Sequence, residues 1–153
     1  MQTSTEFASP PFRILALDFG ARNLGLAVSD ELGLTAQGLP TYRRSNKKRD
    51  FDHLRVMVRQ YHVSEIVLGL PLRLSGAEGT QAEKVREFAE ELRRRFKLPV
   101  HLVDERLTSV EANRVLRETE MSSRRRAQAV DRLAAVLILQ NFLELRRQET
   151  NSL

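Results

Sequence analysis

The sequence contains no cysteine, and its aromatic residues are limited to seven Phe and two Tyr. The absence of cysteine excludes disulfides, thiolate metal sites and a cysteine nucleophile, and it fits a reducing compartment. With so few aromatics there is no aromatic-rich strand pair on which bases could stack, so a sequence-specific single-strand reader is not supported. No apolar run approaches the ~20 residues of a membrane span. The N-terminus, "MQTSTEFASPP", lacks the positive and apolar regions of a secretory signal and reads as a disordered tail over residues 1–12. The three histidines, His53, His62 and His101, have no metal-ligand spacing and read as structural or surface residues. These absences leave a soluble cytoplasmic protein as the expectation.

Charge is what the chain has in excess. Its 153 residues carry a net charge of +5, and Arg supplies 21 of the 25 basic side chains. Arg forks suit phosphate, so a nucleic-acid partner is expected. GC-rich codon usage is the bland alternative, since it raises Arg at the expense of Lys. At 41% hydrophobic, the chain can bury a core as one domain, expected over residues 13–147 with a C-terminal tail over 148–153.

Arg13 to Phe19, "RILALDF", reads as a strand, "LGLAVSD" as a second, and "LTAQGLPTYRR" as the carrier of a third. Tight turns between them predict an antiparallel meander. A helix follows, with Phe51, Leu54, Val58 and Tyr61 at helical spacing. "EIVLGLP" reads as a buried strand, "LRLSGAEGT" as a loop, and "QAEKVREFAEELRRRF" as an amphipathic helix with Val85, Phe88, Ala89 and Leu92 inward. "LPVHLVDE" is a fifth strand. Thr108 and Glu111 form a capping box for a further helix, and a last helix runs from about Ser123 to about Arg147. The order β-β-β-α-β-α-β-α-α predicts an α/β fold, a mixed five-stranded sheet flanked by helices.

Acids fall where such folds place ligands, at the carboxyl ends of parallel strands. Asp18 ends the first strand, and Asp104 and Glu105 end the fifth. Asp131 lies in "QAVDRLAAVLILQ", where Ala127, Ala134, Ala135 and Ile138 share its helix face. A carboxylate on so apolar a face needs a partner: an Arg such as Arg124 or Arg125, a hydrogen-bond network, or a metal ion. If the strand ends and this helix converge, Asp18, Asp131 and one of Asp104 and Glu105 surround a divalent cation, Mg²⁺ or Mn²⁺. Two such ions roughly 3.5–4 Å apart activate a water and stabilise the leaving oxygen of a phosphodiester. For each acid a plain turn residue or a salt bridge is the alternative.

Four stretches carry a resemblance: "LALDFGARNLGLAVSD", "IVLGLPLRLSGAEGTQAEKVREFAEELRRRF", "VHLVDERLTSVEANRVL" and "VDRLAAVLILQNFL". In order and spacing they resemble the YqgF-type proteins, the pre-16S ribosomal RNA nucleases related to Holliday junction resolvases, from about Ile14 to about Leu145. The resemblance implies an RNase H-like fold and a metal-dependent nuclease acting on RNA, with Asp18, Glu105 and Asp131 as catalytic and metal-ligating acids. It selects Glu105 over Asp104. Gly20, Gly25, Gly69, Pro71, Arg106 and Thr108 match further family positions. Asn23 departs from the family, many of whose members carry a basic residue there, with Arg22 next to it as a substitute.

Nucleic-acid contacts are expected from Gly20, through close backbone approach, from Arg22 and Arg106, and from Arg124, Arg125 and Arg126 as a phosphate clamp. The cluster from Arg43 to Arg49 reads as a solvated linker. Competing readings are a DNA junction resolvase, which wants a two-fold dimer, a non-catalytic RNA-binding ribosome assembly factor, and an actin-like ATPase fragment, which needs a second lobe. Monomer and homodimer both remain open.

Overall fold

The computed structural model describes residues 12–71, 78–104 and 123–151. Five strands form one mixed sheet in the order β3-β2-β1-β4-β5. β1 (Arg13–Phe19), β2 (Asn23–Ser29) and β3 (Ala36–Arg43) are the expected antiparallel meander. β4 (Val63–Leu70) and β5 (Val100–Asp104) then add in parallel on the other side of β1. β3 is an edge strand. Its Pro40 falls where the register with β2 shifts, a position at which a missing N–H costs no ladder bond.

Alternation along the strands sorts the side chains into two cores. Leu15, Leu17, Leu24, Leu26, Ile66 and Leu68 face helices α1 (Lys47–Gln60) and α2 (Thr80–Phe96). Phe51 and Leu54 of α1, with Val85, Phe88, Ala89 and Leu92 of α2, complete this larger core. The Asn46 side chain caps α1 by accepting from the Arg49 N–H at 2.9 Å. Lys97, in the left-handed region, ends α2 two residues before Pro99, which together turn the chain into β5.

The opposite face carries one helix, α3 (Ser123–Asn151). Ala134, Ala135, Ile138 and Leu139 are fully buried there, and Ala135, Ile138 and Leu139 pack on Ile14, Ala16, Ala27 and Val67. The apolar face expected around Asp131 is thus the face laid on the sheet. α3 continues to Asn151, beyond the expected end near Arg147, and Thr150 donates back to the Arg146 carbonyl within its last turn. The helix expected after Thr108 lies outside the described residues.

Candidate active site

Ile14 and Ala16 point to the α3 face, so alternation puts Asp18 on that face as well. Asp18 stands directly opposite Gly25 of β2, and directly paired residues of neighbouring strands share a face. Above Gly25 lies the backbone of Asp131. A Cβ built on Gly25 would sit 2.0 Å from the Asp131 carbonyl oxygen. Glycine is therefore required at this position by the approach of the helix. That approach sets Asp131 one strand away from Asp18, on the same side of the sheet. Two further contacts seat the start of α3. Gly38 of β3 accepts the Arg132 stem, which a Cβ would meet at 2.7 Å, and the Thr41 hydroxyl donates to the Gln128 carbonyl at 3.0 Å.

The Asp131 carboxylate is half-buried, and desolvation raises its pKa above the ordinary aspartate value. A hydrogen bond from the Asn23 side chain acts in the opposite direction. Asn23 begins β2 and by alternation shares the α3 face with Gly25. Among the described residues, the polar side chain that acts on Asp131 is Asn23, noted in the sequence only as a departure from the family pattern. Carboxylate oxygens with an amide beside them are a hard donor set suited to Mg²⁺ or Mn²⁺. Among the described residues no group of three His, Asp or Glu side chains forms a metal site. The third acid expected, Glu105, lies outside the described residues, as do Arg106 and Thr108.

The turn between Asp18 and Asn23 is held from behind. Gly20 donates to the Asn23 carbonyl at 3.0 Å, and a Cβ on Gly20 would press against that oxygen at 2.9 Å. Arg44 Nη1 donates to the Gly20 carbonyl at 2.8 Å, its guanidinium lies 4.5 Å over the Phe19 ring, and its N–H donates to the Arg22 carbonyl at 2.7 Å. Asp50, only 4% exposed, accepts from Arg44 Nε, the Tyr42 hydroxyl and the Ser45 N–H. The segment read as a solvated linker thus contains the brace of the candidate site. Its signal in the sequence was an Asp in the first turn of α1, which is common enough to pass unnoticed.

Arg22 is exposed beside this turn. Arg125 is exposed in the first turns of α3, and Arg126 is half-buried, its Nε enclosed without a hydrogen-bond partner among the described residues. The side chain of Arg124 lies outside the described residues.

A mixed five-stranded sheet with helices on both faces and acids at one end of β1 is the RNase H-like architecture. Among solved structures, the chain is similar to T. thermophilus RuvC in complex with Holliday junction substrate, at a TM-score of 0.50 and 15% identity, covering 89% of this chain and 96% of that one. Residues 12–145 match the family model described as "RuvX: Holliday junction resolvase", and the chain belongs to that family. Its relatives include proteins named "Putative pre-16S rRNA nuclease". One from Koribacter versatilis is 65% identical over 134 residues, 88% of each chain. Another from Moorella thermoacetica is 52% identical over 132 residues, 86% of this chain and 94% of that one. Both descriptions are of nucleases, and the family defines a hydrolase of phosphodiester bonds.

Proposed function

We propose that this protein is a divalent-metal-dependent nuclease of the cytoplasm that matures the 5′ end of pre-16S ribosomal RNA. The observation that supports the reading is the seating of the Asp131 backbone over Gly25, the strand partner of Asp18, with the Asp131 carboxylate half-buried. Asp18 and Asp131 would hold the cation, with Glu105, which follows the last residue of β5, as the third acid. A divalent cation held there would supply charge to offset the phosphate and to lower the pKa of an attacking water. Asp18 contributes from a paired strand and Asp131 from a helix fixed to the same sheet, so neither carboxylate needs to reorganise when substrate arrives. Gly20, Arg22, Arg106, Arg124, Arg125 and Arg126 contact the nucleic-acid backbone around the acids.

RNA is preferred as substrate because relatives at up to 65% identity bear the pre-16S name. The family description and the resemblance in fold to a junction-bound RuvC favour a second reading, cleavage of four-way DNA junctions. A cleavage assay separates them. A 5′-extended ribosomal RNA precursor, generic single-stranded RNA and a four-way DNA junction are compared with Mn²⁺, Mg²⁺ or chelator. Metal-dependent cleavage of the precursor, lost in Asp18→Asn and Asp131→Asn, is expected. Cleavage of the junction alone would establish the second reading. Full activity in both variants would overturn the metal site.

A further inference from the structure

On the sheet face opposite α3, acids match many of the basic side chains of α1 and α2. Lys48 pairs with Asp52, Lys47 and Arg94 pair with Glu91, and Arg86 pairs with Glu78. Arg93 pairs with Glu90 and donates to the Val100 carbonyl at 2.7 Å. Arg55 and Arg95 differ. Among the described residues neither forms an ion pair, and each lies instead on a ring of the other helix. The Arg95 guanidinium is 4.2 Å from the centre of the Phe51 ring, and that of Arg55 is 5.1 Å from the centre of the Phe96 ring. The two rings are neighbours, with centroids 6.3 Å apart. Reciprocal contacts thus hold two guanidiniums over one seam. Glu91 attracts Arg95 at longer range, but its ion pairs go to Lys47 and Arg94.

A guanidinium stacked on a ring uses its face for the contact and keeps its edge, a planar fork of five N–H donors. The ring restrains the group beforehand, so less side-chain freedom is lost when an anion arrives. Arg59 shares the face of Arg55 one turn on, and Lys97 follows Phe96. Both are exposed, and neither forms an ion pair among the described residues. Basic residues near helix C-termini also complement the macrodipole. That accounts for positive charge here but leaves the two forks without an acceptor. Paired forks free of carboxylate suit successive phosphates, and the chain belongs to a family of nucleases.

We propose that the Arg55–Arg95 seam is a second nucleic-acid contact, binding backbone phosphates of the RNA that flanks the cleaved bond. It lies across the sheet from α3 and Asp131, so it serves affinity and not bond cleavage. The inference rests on the RNA substrate proposed above and is independent of the metal site.

The test is binding of the full chain to the 5′-extended ribosomal RNA precursor, in chelator, by fluorescence anisotropy over a salt series. Thermal midpoints are measured alongside. Arg55→Gln with Arg95→Gln should bind about tenfold more weakly near ~0.1 M salt, and its plot of log affinity against log salt should flatten by about 1.4, two contacts at ~0.7 each. Arg55→Lys with Arg95→Lys keeps the charge but not the fork, so it should keep the slope and lose part of the affinity. Lys48→Gln with Arg86→Gln removes the same charge from cations already paired with acids, and its affinity should stay close to the wild type. Wild-type affinity and slope in the Arg55→Gln, Arg95→Gln protein would overturn the seam. An equal loss in the Lys48→Gln, Arg86→Gln protein would overturn it too, by assigning the effect to net charge. If the Gln pair at the seam lowers the midpoint, the Lys pair decides, and unchanged affinity there would overturn the role of the forks. A wild type that binds a four-way DNA junction but not the RNA would instead overturn the RNA reading on which the inference rests.

Discussion

Two carboxylates lie between α3 and the sheet, and they have opposite surroundings. Asp131 and Arg146 are separated by about 22 Å along the helix axis at 1.5 Å per residue. At the far end, Glu65 of β4 receives both Nη atoms of Arg146 at 2.8 Å and His101 Nε2 at 2.9 Å. Arg146 also lies 4.6 Å over the Phe142 ring. The Arg146 hydrogen bonds, with His101 and the accompanying charge attraction, pull the Glu65 pKa down to about 2 against the opposing effect of burial. At the near end, burial dominates and raises the pKa of Asp131, with a neutral amide as the opposing partner. One helix thus carries a satisfied ion pair that fastens it to the sheet and, some four turns earlier, a desolvated carboxylate, the one proposed to hold a cation. On the proposed function, stability and catalysis are divided between the two ends of the same interface.

The largest effect that would break this contrast is on activity. Asp131→Asn should lower cleavage by about a thousandfold or more, the scale of several kcal/mol of lost transition-state stabilisation, whereas Glu65→Gln should leave the rate per folded molecule unchanged. A single-turnover assay on both variants checks this.

Next in size is Gly25→Ala. The added Cβ forces the Asp131 backbone away, which should destabilise the protein by about 1–3 kcal/mol, the usual range for overpacking. It should also reduce cleavage, measured by urea unfolding beside the same assay. Ala27→Gly, two residues along the same face, serves as a control that should lose stability without a comparable loss of rate.

A smaller effect separates the far end. Glu65→Gln removes the charge from a half-exposed ion pair and should cost about 1–2 kcal/mol. Because the folded pKa of Glu65 is depressed to about 2, its contribution is fully present above the ordinary Glu range and lost as pH falls through about 2. Wild type and Glu65→Gln should therefore converge in stability under acid, as thermal melts from pH 6 to pH 2 would show. For Asp131 the sign reverses. A raised folded pKa means the ionised form is penalised on folding, so stability recovers as pH falls toward that pKa.

The smallest effect is expected at the brace. Arg44→Ala should reduce activity severalfold by loosening the turn after Asp18, with a loss of about 1 kcal/mol or more from the ion pair to buried Asp50.

Much of this contrast was legible in the sequence at one end only. A strand that terminates in Asp18, and an Asp131 set among alanines on an apolar helix, are local patterns, and the meander and the alternating α and β elements followed from periodicity. Gly25 was visible as a glycine, but its reason was not, because only the landing of α3 on β2 demands it. Asn23 and Arg44 act through partners 108 and 6 residues away, respectively. Arg22 draws attention beside Asn23 because it is charged, and Arg44 reads with its neighbours as part of a solvated basic cluster. The Glu65–His101–Arg146 cluster joins three elements, and no spacing within any one of them announces it. Sequence patterns report which face an element buries. They do not report which polar groups meet when two faces close.

The most direct test of the division of labour is the thermal midpoint of the wild type and Asp131→Asn, each with and without Mn²⁺. Asp131→Asn should melt higher than the wild type without metal, since it no longer folds a desolvated charge, and it should gain nothing from Mn²⁺, while the wild type should rise with Mn²⁺ concentration. A lower metal-free midpoint in Asp131→Asn together with an equal rise of both proteins in Mn²⁺ would contradict the account.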